Sequence, residues 1–132
     1  MPDNIIGGNV NIGGTQDFHG AVTIIMHDVT NTINASSVPP DEKAALQKLV
    51  SDMENALKQE GSKNPDGAEE IAKRTKEAVE EAISKKLNRG AIEAKANLLK
   101  EAAQNVAGAM PIVVGIATNI VIAVLKMGTG QP

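Results

Sequence analysis

Few side chains in this 132-residue chain are of the types that do chemistry. His19 and His27 are its only histidines, and with Asp17 and Asp28 they offer the nitrogen and oxygen donors that bind a divalent metal. Their spacing matches no structural-zinc pattern. Both fall at sequence turns, His19-Gly20 and His27-Asp28, so they read as solvated turn residues. The glycine-rich string "GGNVNIGG" is not a phosphate cradle, because no Lys-Ser/Thr follows it and no βαβ unit surrounds it. Ser36 and Ser37 read as linker or cap residues. The chain has no cysteine, which removes thiolate catalysis, disulfides and Cys-type zinc sites. No nucleophile, base and orienting group assemble from the remainder. The expectation is a protein without catalytic activity, cofactor or metal.

Function must then come from surfaces, and the distribution of charge divides the chain into three zones. Residues 1–40 hold Asp3, Asp17 and Asp28 and no Lys or Arg. Residues 41–101 hold every other acidic residue and every basic residue except Lys126. From Ala102 to Leu125 there is no charge at all. Neither end carries a basic stripe, so nucleic acid is not an expected partner. The opening "MPDNIIGGNV" has neither a basic region nor a long apolar run, so no cleavable signal is expected. The chain reads as cytoplasmic while soluble, with the inner membrane as its place after assembly.

In the first zone, Ile6, Ile12, Phe18 and Ile24 recur at equal spacing, with glycines close behind the first three. This period is of the kind left by β-helix or stacked β-turn architectures. A plainer reading places short strands at about 9–12, 15–18, 21–26 and 29–33, parted by two-residue turns at Gly13-Gly14 and His19-Gly20. Val10 and Ile12 then share a face, as do Val22, Ile24 and Met26. "VTIIM" and "VTNTI" are rich in the β-branched residues that suit strands. Such a sheet buries little and needs a cover, either the chain's own helices or other copies; a disordered segment is the third possibility. Between Pro2 and Pro39 there is neither proline nor lysine to protect an exposed strand edge, which favours association between copies. The expected assembly residues are Ile6, Val10, Ile12, Phe18, Val22 and Ile24.

The second zone is punctuated for helices. Pro40 suits a first helical position, with Asp41 and Glu42 in the first turn, and Gly61 suits a helix end. Leu46, Leu49, Val50, Met53 and Leu57 make one stripe. Asn64 suits the cap of a second helix, with Pro65 just inside and a stripe through Ile71, Thr75, Ala78, Val79, Ala82, Ile83 and Leu87. Glu69–Lys73, Glu70–Arg74 and Glu81–Lys85 are i,i+4 pairs in the favourable order. The "NRG" at 88–90 ends or bends this helix. A third helix from about Ala91 carries Ile92, Ala96, Leu99, Ala103, Val106 and Met110 on one side.

In the third zone, Pro111 predicts a kink or break near Gly108. The segment after it is apolar on nearly every face, so protein or lipid must surround it. The run from Ala109 to Leu125 lies between the roughly 20 apolar residues of a comfortable span and the 10–14 of a core helix. In lipid, Asn119 would need a neighbouring helix, Gly115 would let helices approach, and Lys126 would snorkel. The residues expected to define a membrane segment are Pro111, Val114, Gly115, Asn119, Ile122 and Lys126.

The expected architecture is therefore α+β. Residues 1–37 form a Gly/Asn-rich β assembly segment, a meander or an intermolecular stack. Residues 38–132 form a bundle of three to four helices whose last, about 109–127, is apolar all round. This order of parts, "GGNVNIGGTQDFHGAVTI", a linker, a charged helical hairpin with "NP" in its loop and an apolar last helix, resembles small bacterial conflict-associated proteins. In those, "GGxxNxGG" segments precede helical modules linked to defence signalling. In reversed order it is similar to amyloid-signalling proteins whose assembly motif triggers a membrane-damaging helical domain. The resemblance lies in layout and transfers no functional residue. What it implies is a self-assembling, membrane-perturbing, pore-forming effector in bacterial defence or conflict. The alternative is a soluble oligomeric scaffold or adaptor whose apolar last helix is a bundle core. Expected partners are further copies of the chain and, in the first reading, a lipid bilayer; a signalling partner cannot be named.

Overall fold

The computed structural model describes residues 14–84, 86 and 88–128. They form five α-helices: α1 (Gly14–Ala35), α2 (Pro40–Glu60), α3 (Pro65–Ala82), α4 (Arg89–Asn105) and α5 (Pro111–Gly128), with a 3-10 turn over Gly61–Lys63. The helices close a ring in the order α1, α2, α5, α4, α3 and back to α1, and α3 also meets α5 across the middle. A single core, aliphatic except for Phe18, runs through all five.

The charged helices form where their stop and start signals lie. Pro40 opens α2, Asp41 and Glu42 occupy its first turn, and Lys43 N donates to Pro39 O at 2.9 Å. Asn64 caps α3 by accepting from Gly67 N at 3.0 Å, with Pro65 at its first position. α3 ends at Ala82, earlier than the stripe to Leu87 suggests, and Asn88 caps α4 by accepting from Ala91 N at 3.0 Å. The outward faces carry i,i+4 and i,i+3 pairs, among them Arg74 with Glu70 at 2.6 Å and with Glu77 at 3.0 Å. Each such exposed pair stabilises a helix by only about 0.2–0.5 kcal/mol, so the core decides the fold.

The strands expected at 15–18, 21–26 and 29–33 are replaced by α1, and among the described residues the fold is all-helical. The reason is in the apolar spacing. Phe18, Val22, Met26, Val29 and Ile33 follow one another at intervals of four, four, three and four, one face of a helix, and none is more than 1% exposed. The strand reading put Val22, Ile24 and Met26 on one side. In the helix Ile24 turns away and is 65% exposed. The threonines that favoured a strand are accommodated by bonding back to the preceding turn, Thr30 Oγ1 to Met26 O at 3.1 Å and Thr32 Oγ1 to Asp28 O at 2.9 Å. Thr32 also reaches Glu80 Oε2 on α3 at 3.4 Å. At its C-terminal end α1 is tied to α2 by Gln47 Nε2 donating to Asn34 Oδ1 and by Lys43 Nζ donating to Asn34 O. The strand at 9–12 and the residues Ile6, Val10 and Ile12 lie outside the described residues.

Two core features are unusual. The ring of Phe18, the chain's single aromatic, lies against Gly61, where a Cβ would collide with it. Thr75 on α3 is fully buried, and its Oγ1 has no hydrogen-bond partner. A buried hydroxyl left unpaired costs about 1–3 kcal/mol.

Three outcomes follow for denaturant unfolding monitored by circular dichroism. Phe18→Ala is expected to lose about 3–5 kcal/mol, whereas Ile24→Ala changes stability by less than about 0.5 kcal/mol; equal effects at the two positions would contradict the helical register of α1. Gly61→Ala is expected to cost about 1–3 kcal/mol by displacing the Phe18 ring. Thr75→Val is expected to gain about 1–3 kcal/mol by removing the unpaired hydroxyl, and a loss of stability would show that Thr75 has a partner.

Candidate interaction face on the C-terminal helix

Proline places the start of α5. It lacks an N–H, which the first turn of a helix does not use, and its fixed φ suits the first helical position. The chain leaves α4 at Asn105 and turns through Val106–Met110, with Met110 N donating to Val106 O at 2.8 Å and Ala109 N to the same oxygen at 3.0 Å. The expected break near Gly108 is present. It divides the uncharged run between the end of α4, this turn and α5.

α5 presents two faces of different character. Inward, Val113, Ala117, Ile120, Val121 and Val124 are buried, packed against α2, α3 and α4. Outward, Gly115, Asn119, Ile122 and Lys126 recur at intervals of four, three and four and are all exposed, with Pro111, Ile112 and Thr118 beside them. Ile112 is 50% and Ile122 49% exposed. The hydroxyl of Thr118 bonds back to Val114 O at 2.9 Å, which softens its polarity towards solvent. Nothing lies within 4 Å of where a Cβ would stand at Gly115, so this glycine is not needed for packing inside the bundle.

Five of the six residues expected to mark the last helix, Pro111, Gly115, Asn119, Ile122 and Lys126, thus share this outward face. Val114 is half-buried, turned towards α4. Ile122 is a ridge between two depressions. On one side a groove of about 690 Å³ runs between the C-terminal half of α5 and the start of α2, lined by Asn119, Ile122, Ala123 and Met127 against Ala45 and Leu46, with Asp41, Glu42 and Lys126 also on its wall. On the other, about 280 Å³ separates α5 from Lys100, Ala103 and Gln104 of α4.

The residues named for assembly are not gathered in one place. Phe18 and Val22 are in the core, Ile24 is on the solvent side of α1, and Ile6, Val10 and Ile12 are outside the described residues. His19 and His27 are exposed on α1, His19 with its ring 4.3 Å from that of Phe18. Among the described residues no three His, Cys, Asp or Glu side chains come together as metal ligands.

Sequence reading passed over one residue at this site. Glu60, the last of α2, is 7% exposed, and its carboxylate accepts from Val113 N at 3.1 Å and from Ile112 N at 3.4 Å. A side chain from another helix thereby caps α5. A signal for it exists: Leu46, Val50, Met53 and Leu57 continue at the same spacing to Glu60, so an acid occupies a position where the stripe calls for an apolar residue.

No family model, curated protein or solved structure matches this chain.

Proposed function

We propose that this chain is a self-assembling, membrane-perturbing effector, with α5 as its membrane-active element, held against the other helices in the resting state. The observation that carries the reading is the outward face of α5. The outer faces of α2 and α3 bear paired charges of alternating sign, and that of α4 exposes Glu93, Lys100 and Glu101. That of α5 has no charge before Lys126, and it exposes Ile112 and Ile122 instead. A helix that borders water on one side normally carries charge there. An uncharged outward face suits a second apolar phase.

The mode of action is constrained by length. α5 has 18 residues, about 27 Å at 1.5 Å per residue against a hydrocarbon thickness of about 30 Å. Among the described residues no helix is long and apolar enough to cross a membrane. Perturbation by several copies lying in the interface fits these dimensions better than a lone spanning helix. Freed from the bundle, α5 would be apolar on nearly every side, with Val113, Ala117, Ile120 and Val124 on one face and Ile112, Gly115 and Ile122 on the other, broken only by Thr118, Asn119 and Lys126. It could then sink into the interfacial region with its few polar groups towards the headgroups. Self-assembly, through the glycine-rich segment that precedes α1 together with Ile24, supplies the local concentration such a mechanism requires. A place in bacterial defence rests on the resemblance in layout alone.

The α2–α5 groove favours a second reading, a soluble oligomeric scaffold in which α5 is a permanent core helix and the groove receives another helix. Flotation with vesicles, dye release and sedimentation in detergent-free buffer separate the two. On the first reading the protein floats with phosphatidylethanolamine–phosphatidylglycerol vesicles and releases their contents. The double variant Gly115→Asp/Ile122→Asp touches no buried residue and is expected to keep its melting behaviour. It should lose at least about tenfold in dye release, since two carboxylates on the face that first meets the lipid must be desolvated or keep the helix out of the interface. Unchanged leakage in that variant would sink the membrane reading. A monodisperse oligomer without lipid binding would establish the scaffold.

A further inference from the structure

We propose that Glu60 is an autoinhibitory latch, a single carboxylate that holds the first turn of α5 in the bundle and whose withdrawal frees α5. The inference rests on the membrane reading of α5 and adds how that element is restrained.

The argument is an accounting of donors. The first turn of a helix has N–H groups with no partner inside the helix. In α5 the first position is Pro111, which has none. Val114 N is served by Met110 O at 3.1 Å. That leaves Ile112 and Val113, and both donate to Glu60, one to each oxygen. No side chain nearby in sequence can replace it: the residue before Pro111 is Met110, which has only a weak thioether acceptor, and Ala109, Gly108 and Ala107 before it have no side-chain acceptor at all. The side-chain cap of α5 therefore exists only while α5 is seated against the end of α2, over 50 residues earlier in the chain.

The carboxylate is equally committed. Glu60 is the buried acid among the described residues, and there it forms no ion pair, its neighbour Lys58 being paired with Glu54 at 2.9 Å. Its negative charge is offset by the positive end of the α5 dipole and the two N–H groups. When α5 leaves, Glu60 regains water, while Ile112 and Val113 must find other acceptors. The contact is thus made in one state and lost in the other, and it sits beside the turn on which α5 would swing from α4. Gly61, the next residue, supports the Phe18 ring, so the first turns of α1 meet the bundle at the same end.

Amide hydrogen exchange and dye release from phosphatidylethanolamine–phosphatidylglycerol vesicles, measured on the same full-length preparations, test the latch. Glu60→Gln keeps the shape but loses the charge and one acceptor. Asn88→Ala removes the cap of α4 and controls for general destabilisation, and Glu54→Gln controls for loss of an acid on α2. In Glu60→Gln, exchange at Ile112–Val114 should accelerate about 5- to 30-fold, the scale of one lost cap. The interiors of α1 and α3 should change by less than twofold, and dye release should quicken. Glu60→Ala is expected to go further in the same direction; if it fails to fold, Glu60→Gln still decides. Exchange in α5 no faster than in Asn88→Ala overturns the latch. So does faster exchange without faster leakage where the wild type leaks. Faster local exchange with no leakage from any protein, wild type included, keeps the contact as the restraint on α5 and removes the membrane reading instead.

Discussion

An apolar helix with no charge before its last turn has to be covered, and the other helices are arranged around that requirement in α5. α2, α3 and α4 each turn a stripe of Ala, Val, Ile, Leu and Met towards it and keep their charges outside. Much of that stripe is alanine: Ala56, Ala68, Ala72, Ala78, Ala82, Ala96, Ala102 and Ala103 are all buried. Small side chains let helix axes approach closely, but each removes little apolar area from water. The large contributions come instead from Phe18, Met26, Met53, Met110 and the branched residues, and the one aromatic ring is seated on Gly61, where α1 meets the end of α2.

How much of this was legible in the sequence depends on whether local and tertiary signals agree. In α2 and α3 they agree. Proline at the first position, acids in the first turn, Asn64 as cap and a clean stripe all point the same way, and the helices form where those marks stand. In α1 they conflict. "VTIIM" and "VTNTI" favour strand by propensity and by short-range alternation, and the glycines suggest turns. The helical spacing of Phe18, Val22, Met26, Val29 and Ile33 prevails because it offers five side chains to a core already waiting on α2 and α3. A strand would present only alternate residues to that surface and would leave its own edge unpaired. Propensity is a weak prior beside burial of this extent.

The candidate site divides along similar lines. Pro111, Gly115, Asn119, Ile122 and Lys126 were recognisable because the absence of charge is visible in one dimension, and their common face then follows from the period of a helix. Glu60 was not recognisable as a cap, because its partners lie at the other end of the chain and only the folded topology brings them together. What the sequence displays is an acid on an apolar stripe. That anomaly marks a buried polar group needing a partner without saying which. Thr75, on the stripe of α3, is the same kind of anomaly, and there the fold supplies no partner.

The energetics set what a latch of this kind can accomplish. Four branched side chains of α5, Val113, Ile120, Val121 and Val124, are buried in the bundle. At about 1.5–3 kcal/mol each, returning them to water costs 4 × 1.5 to 4 × 3, about 6–12 kcal/mol. That is on the scale of the whole stability of a domain, about 5–15 kcal/mol. A cap contributes about 0.5–2 kcal/mol. Opening the latch alone therefore does not expel α5 into water; it lowers the threshold at which another apolar phase competes for the helix. Only a surface that re-covers those side chains, a bilayer or the faces of neighbouring copies, balances the loss. On the proposed reading, the restraint by Glu60 and the outward face of α5, uncharged before Lys126, therefore belong to one mechanism: the exposed Ile112 and Ile122 would let a receiving phase be met before the buried valines leave.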